Sequence, residues 1–210
     1  MDIKNLWTTL FENSAYDSAN AIASTSDGFL YVVGSTDKNL DGKINKGKSD
    51  AYIAKFDKSG ARAWTALLGS TQYDEAKGIA IARDGSFYIT GTCSAGFEGH
   101  STGNVFIAKY NKDGTKAWTG TLDVLYSSVD CASSVATAED GSVYVLGNTG
   151  INLDGQTNKG GQDAFIAKFN SNGTKAWTRL YGTPKNENAT SIAIAKDGSC
   201  YIAGYKFSTA

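Results

Sequence analysis

Histidine and cysteine are scarce in this sequence, and the scarcity of each argues against a class of protein. His100 is the single histidine, so a nucleophilic triad that uses a histidine base would have to be built on that residue. It lies in a glycine-rich loop, and no serine follows a recognisable elbow pattern. The three cysteines have no C-x-x-C spacing, which argues against a zinc cluster or a disulfide framework. The sequence therefore favours a non-enzymatic protein without excluding an enzyme.

The sequence also lacks long apolar runs and an excess of charge of one sign. With 20 basic and 21 acidic residues the formal net charge is −1, whereas a nucleic-acid surface needs a basic excess. No run approaches the roughly 18 apolar residues of a membrane span, and the N-terminus does not resemble a signal peptide. We expect no nucleic-acid partner and no membrane insertion. The cellular compartment stays open.

What the sequence has in abundance is glycine, at 24 residues, and an internal repeat. Tryptophans recur at nearly equal intervals, and Asp-Gly pairs recur in phase with them. Each Asp-Gly pair is soon followed by a tyrosine and then by a glycine. Self-similarity at a fixed period of this size indicates a repeat architecture. The tryptophans are Trp7, Trp64, Trp118 and Trp177.

One repeat contains four segments typical of β-strands, in the second repeat AKGIAIA, SFYITGT, NVFIAKY and TKAWTGTL. An Asp-Gly turn joins the first two, which is the strongest short hairpin signal. Four antiparallel strands in such a unit predict a blade of an all-β propeller, with about four blades per chain. The first strand has the smallest residues, as an inner strand near a crowded axis requires. The large tryptophan rings are expected to be buried between blades.

The strings DGSFYITGT, NVFIAKYNKDGTKAWT and NLDGQTNKGGQDAFIAKFNSNGTKAWTRLYG resemble the bacterial SBBP β-propeller repeats over nearly the whole chain. The resemblance implies a propeller, often in a secreted or cell-surface protein, and implies no particular activity. Repeats are expected at about 8–64, 65–118 and 119–177, with a last partial blade at 178–210 completed by 1–11. The ring would close within one chain, be shared by a homodimer, or be a piece of a longer array.

Tight turns and long loops should lie on opposite faces, because antiparallel strands alternate in direction. Binding is expected on the long-loop face, since long loops on a rigid scaffold often carry function. That face carries four acids, each at the same distance before an Asp-Gly pair: Asp17, Asp74, Asp130 and Glu187. They are candidate binding residues at the channel mouth. The alternative is that each accepts backbone N–H groups in its own turn.

A second candidate site is a calcium site in the first long loop. Asp37, Asn39, Asp41 and Gly42 follow the alternating oxygen pattern of a calcium loop, and Asn45 adds a further side-chain oxygen. The closing glutamate is absent, because Lys48 occupies its position. The alternative is a loop whose Asx side chains bond its own backbone. Under the first of these two interpretations, Ca²⁺ is a cofactor held by Asp37, Asn39, Asp41 and Asn45.

Three functions remain in competition. The first is a non-enzymatic scaffold or binding module that displays long loops to a protein or glycan. The second is a calcium-dependent, lectin-like propeller that uses aromatic side chains near the long loops. The third is a lyase or hydrolase at the channel mouth. The aromatic candidates are Tyr16, Tyr73, Phe97 and Tyr181.

Overall fold

The protein is an assembly of antiparallel β-sheets, seen in a computed structural model that describes residues 16–101, 103–123 and 131–207. Three sheets have four strands in chain order, and a fourth has two. Sheet 1 contains β1 (Asp17–Ser24), β2 (Leu30–Thr36), β3 (Asp50–Phe56) and β4 (Arg62–Leu68). Sheet 2 contains β5 (Glu75–Ile81), β6 (Phe87–Cys93), β7 (Asn104–Tyr110) and β8 (Lys116–Asp123). Sheet 3 contains β9 (Cys131–Thr137), β10 (Val143–Thr149), β11 (Asp163–Phe169) and β12 (Lys175–Tyr181). Sheet 4 contains β13 (Asn186–Ile194) and β14 (Cys200–Phe207).

The prediction of an all-β chain with four-stranded repeats is confirmed. The segment NVFIAKY coincides with β7, and in this part of the chain the one helical element is a 3-10 turn at Phe97–Gly99. The predicted N-terminal strand, with Trp7, lies outside the described residues. Closure into a ring and the repeat boundaries stay predictions. Between residues 16 and 207, apart from 102 and 124–130, no helix is long and apolar enough to span a membrane.

The tight hairpins share one turn geometry, and the glycine of each turn explains it. In the first hairpin, the Gly28 N–H donates to the Thr25 carbonyl at 3.0 Å, and the Thr25 N–H donates to Phe29 at 2.9 Å. Gly28 has a φ of 86°, the left-handed conformation that suits glycine and closes a three-residue hairpin with a bulge. The six other tight turns repeat this pattern, with Gly60, Gly85, Gly114, Gly141, Gly173 and Gly198.

Neighbouring sheets pack side by side through their first strands, as the small residues of these strands predicted. Strand β5 contacts both β1 and β9, and β9 contacts β13. A methyl group on Gly78 would lie 3.3 Å from the Ser134 α-carbon, so the two strands approach closely there. The Asn20 amide also crosses between sheets and donates to the Ala76 carbonyl at 2.8 Å.

Apolar cores fill the spaces between successive sheets, and one tryptophan packs at the margin of each. The location of Trp64, Trp118 and Trp177 between sheets agrees with the sequence prediction. Burial between blades was expected, and all three rings are half-buried. They lie near the tight turns, where the next sheet covers only part of each ring. Trp118 uses its open edge to donate from Nε1 to the Ser171 carbonyl at 3.1 Å.

Candidate functional site

The candidate site is a cleft of about 570 Å³ at the long-loop ends of sheets 1 and 2, here named the long-loop cleft. Its volume lies in the range of small-molecule sites. Sheet 1 and its long loop supply part of the wall, and the start of sheet 2 supplies the rest. The lining residues are Tyr16, Asp17, Ser18, Ser35, Asp37, Lys48, Ser49, Tyr73, Asp74, Glu75 and Thr92.

Two exposed tyrosines at the same repeat position line this cleft. Tyr16 is 90% exposed and Tyr73 is 63% exposed. A parallel β-bridge between Ser49 and Tyr73 joins the long loop of sheet 1 to the start of sheet 2. The Asp74 N–H donates to the Ser49 carbonyl at 2.8 Å beside this bridge. The backbone of Tyr73 is thereby fixed while its ring stays open to solvent.

Polar groups are interleaved with the tyrosines. The Ser18 and Ser35 hydroxyls lie 2.9 Å apart, and Asp37 accepts the Tyr16 N–H at 3.1 Å. The Lys48 ammonium lies 5.1 Å from the centroid of the Tyr73 ring, a cation–π contact. The cleft thus offers hydrogen-bond donors and acceptors beside aromatic surface.

The in-phase acids do not share one role, and the structure brings only two of them together. Asp17 and Asp74 line the long-loop cleft, whereas Glu187 lines a separate cleft of about 390 Å³ beside β14. Asp130 lies outside the described residues. The arrangement of the four acids around one channel mouth stays a prediction.

Asp74 and Glu187 stabilise their own turns, as the alternative interpretation of these acids expected. Asp74 is buried and accepts from the N–H and hydroxyl of Ser70 at 2.6 and 2.7 Å, and from the Ser94 N–H at 2.8 Å. Glu187 accepts from the N–H and hydroxyl of Thr183 at 2.8 and 2.5 Å. Burial opposes ionisation of Glu187, but these bonds hold its pKa below the usual range.

Asp17 differs from these two acids. Both of its carboxylate oxygens are buried, and neither has a hydrogen-bond partner in the described part of the chain. The side chain lies in the wall of the long-loop cleft. A buried carboxylate without donors is costly. Asp17 is therefore the acid in this cleft whose hydrogen-bonding capacity is least used.

The predicted calcium residues occupy one loop, but several of their oxygens already accept hydrogen bonds. Asn39 accepts the Asn45 N–H at 2.9 Å, and Asn45 accepts the Gly47 N–H at 2.8 Å. One oxygen of Asp41 accepts the Thr65 hydroxyl, and the other lies 2.5 Å from Arg62.

The loop predicted to bind calcium contains a two-residue turn. Asp41 and Gly42 both have positive φ, at 50° and 71°, between the paired residues Leu40 and Lys43. This is the Asp-Gly turn that hairpins favour. In residues 16–101, 103–123 and 131–207, no group of three or more His, Cys, Asp or Glu side chains is placed to hold a metal. Calcium binding at Asp37, Asn39, Asp41 and Asn45 stays one of two predictions for this loop, and the other is a loop whose Asx side chains only bond its own backbone.

The charged contacts made by Lys48 and by Glu98 were not predicted from the sequence. Lys48 was read only as the residue in place of a calcium ligand, because the long loops depart from the repeat. Glu98 lies 2.8 Å from Lys46 and also pairs with Lys116. Burial would raise the pKa of Glu98, but the two ammonium groups outweigh it and hold that pKa below its usual range. Phe97, a predicted aromatic ligand contact, is fully buried and belongs to the core.

The fold and site define a repeat protein of four-stranded β-sheets with a cleft on its long-loop face. Residues 6–41 match the SBBP family model, described as a beta-propeller repeat, which confirms the resemblance read from the sequence. The chain is 29% identical over 205 residues to "Regulatory protein FlaEY" of Caulobacter vibrioides, an alignment covering 86% of this chain and 21% of that protein. This chain thus spans about a fifth of that relative's length.

A solved structure is also similar, a protein of unknown function from Bacteroides caccae. It shares 13% sequence identity with this chain, at a TM-score of 0.33. The match covers 72% of this chain and 61% of the Bacteroides protein.

Proposed function

We propose that this chain is a non-enzymatic propeller module that binds a glycan in the long-loop cleft. The observation that carries the proposal is the exposure of Tyr16 and Tyr73 in one cleft with hydroxyl and carboxylate groups. A large aromatic ring left in solvent at two successive repeats, on a fixed backbone, is unused by the core. Such rings are the apolar part of a binding surface.

A sugar suits this combination of groups. Its C–H faces are apolar and can pack on a tyrosine ring, while its hydroxyls both donate and accept hydrogen bonds. The carboxylate acceptor for such donors is Asp37, and the hydroxyls of Ser18 and Ser35 can act in either sense. The proposal does not depend on calcium.

The proposal includes a ring of blades. Sheets 1 to 3 would be three blades, and sheet 4 would be completed by residues 1–11, within one chain or between two chains of a homodimer. Support comes from the side-by-side packing of the first strands and from the SBBP match. The relative's name, a regulatory protein, is compatible with a scaffold or binding role for this repeat region.

A glycan array with the whole chain tests the proposed function. We expect saturable binding to a subset of glycans, unchanged by EDTA, and a loss of at least about tenfold in affinity for Tyr73→Ala. Tyr201→Ala is the matched control, because Tyr201 is 62% exposed and lies outside the cleft. Equal losses in both variants, or no glycan bound at any concentration, would contradict glycan binding.

Two other outcomes separate the competing functions. Capture of a protein through the same tyrosines, with an empty glycan array, would replace the glycan by a protein partner. If the protein cleaves a bound glycan, and the folded variant Asp17→Asn loses this activity, the chain is a lyase or hydrolase. Both outcomes are distinct from simple retention of the glycan.

A further inference from the structure

A second cavity lies on the opposite face, between the tight turns of sheets 1 and 2, and is here named the turn-face pocket. Its volume is about 360 Å³. Three basic side chains line the pocket, those of Lys55, Arg83 and Lys112. Hydroxyl groups and an aromatic floor complete the lining. The lining also includes Thr25, the aromatic residues Phe29 and Tyr31, and the acids Asp27 and Asp84.

The turn-face pocket is the place where the first hairpin departs from the repeat. The residue after Asp-Gly is serine in the other three units, and Ser86 donates its hydroxyl to Asp84 at 2.6 Å. In the first hairpin that residue is Phe29, and the Thr25 hydroxyl bonds Asp27 at 2.5 Å instead. The turn is thus stabilised by another residue, and the side chain of Phe29 is released to form the pocket floor.

The third strand of each four-stranded sheet has a lysine at the same position, and the one in sheet 1, Lys55, has a different environment from the other two. Lys109 donates to the Ser171 carbonyl at 3.3 Å, and Lys168 lies 3.6 Å from Asp140. The Lys55 ammonium instead lies 4.1 Å from the Phe29 ring centroid and 5.3 Å from that of Tyr31. No oxygen in the described part of the chain lies within salt-bridge or hydrogen-bond distance of Lys55 Nζ.

The carboxylates in the pocket pair with one of its three cations, Lys112, and not with the other two. Asp84 bonds the N–H and hydroxyl of Ser86 within its own turn. Asp27 bonds Thr25 and lies 3.6 Å from Lys112. The Arg83 guanidinium makes no ion pair among the described residues. Lys55, which is half-buried, and Arg83, which is exposed, therefore line one pocket without a counterion among the described residues.

We propose that the turn-face pocket binds the oxyanion group of a small molecule, a phosphate or a carboxylate. Arg83 supplies the planar donor fork that suits either group, and Lys55 supplies a point charge held over the aromatic floor. Three cations against two carboxylates give the pocket a net positive charge. The pocket lies on the face opposite the long-loop cleft, so the two sites can be occupied together.

NMR titration at low ionic strength tests this site with phenyl phosphate and benzoate as probes. We expect saturable shifts at Arg83 and Lys55 for at least one probe, weakened by added salt. Arg83→Ala should weaken binding at least about tenfold, the loss of one charge-assisted hydrogen bond. Lys55→Met, which keeps the apolar stem over the rings, should weaken it similarly. Binding of one probe alone would identify the anion class.

The matched control is Lys196→Ala, because Lys196 occupies the position of Arg83 in the fourth unit, outside the pocket. It should leave the affinity unchanged. The proposal is overturned by the absence of saturable shifts with both probes, or by equal losses in Arg83→Ala and Lys196→Ala. The second result would mean diffuse attraction of anions to surface cations.

Discussion

The indole of Trp64 lies against the α-carbon of Gly114, so that a methyl group placed there would come within 2.9 Å of the ring. The contact joins the last strand of sheet 1 to a tight turn of sheet 2. Trp118 and Gly173 repeat it between sheets 2 and 3, also at 2.9 Å. The glycine of the tight turn thus has two roles, a positive φ and space for a tryptophan of the preceding sheet.

Gly114→Ala should therefore lower the free energy of unfolding for two separate reasons. The left-handed φ of 88° costs alanine about 1–2 kcal/mol, and the clash with Trp64 adds a cost of similar size. Gly198→Ala is the control, because Gly198 has a φ of 84° in the same turn type and nothing within 4 Å of an added methyl group. Urea unfolding should show the larger loss for Gly114→Ala. Equal losses would mean that the tryptophan moves aside freely.

Asp50 should make stability depend on pH in an unusual direction. Burial raises its pKa, and the charge of Asp74 raises it further, although the Lys46 N–H bonded to Asp50 acts in the opposite sense. A carboxyl whose folded pKa is raised favours folding below its unfolded pKa. That contribution is lost as pH rises through the folded pKa.

Asp50→Asn removes this titration and should be tolerated, because the amide oxygen of asparagine can still accept the Lys46 N–H. The variant should gain stability relative to the wild type as pH rises from about 3 to about 7. Urea midpoints measured across this range for both proteins check the prediction. A difference that shrinks with rising pH would show that the charged form is the one stabilised in the fold.

The loop predicted to bind calcium should keep its fold without metal. The third unit has Gly150 in place of Asp37, yet it forms the same turn between Leu153 and Gln156, and Asn152 accepts the Asn158 N–H at 2.8 Å. We expect equal melting temperatures in Ca²⁺ and in EDTA. A rise in melting temperature with Ca²⁺ that Asp37→Ala abolishes would instead establish a calcium site, since a ligand of the folded state stabilises it.

Deleting residues 1–11 tests the proposed closure. Strand β14 has eight exposed residues, whereas its counterpart β10 is wholly buried. An unpaired strand edge promotes association. If residues 1–11 complete this sheet, their loss should lower the melting temperature and promote aggregation. Unchanged melting and solubility would exclude them from the closure, and the solution mass of the intact chain would distinguish a closed monomer from a shared dimer.

The sequence predicted the regular parts of the fold well because each has a local physical cause. Asp-Gly pairs specify turns through the φ of glycine, and alternating apolar residues specify β7 and its counterparts. Asp17 and Asp74 were predicted from their phase in the repeat, and Tyr16 and Tyr73 were named as aromatic candidates near the long loops. These four residues all line the long-loop cleft.

What the sequence could not predict depends on contacts between units. Glu98 pairs with Lys46 of another loop, and Lys48 meets Tyr73 only because a parallel bridge joins two sheets. The half-burial of the tryptophans depends on how far the next sheet extends over each ring. Phe97 was taken as a candidate ligand contact because a loop position alone does not reveal packing against Phe106, whose ring centroid lies 4.5 Å away.

The most direct test of the account is the location of a bound glycan, measured by hydrogen exchange on the whole chain with the strongest glycan from the array. The account predicts slowed exchange at the amides of 16–18, 35–37, 48–49 and 73–75, with the tight turns at 25–29 and 82–86 unchanged. Protection confined to the tight turns or to β14, with the long-loop cleft unaffected, would contradict it.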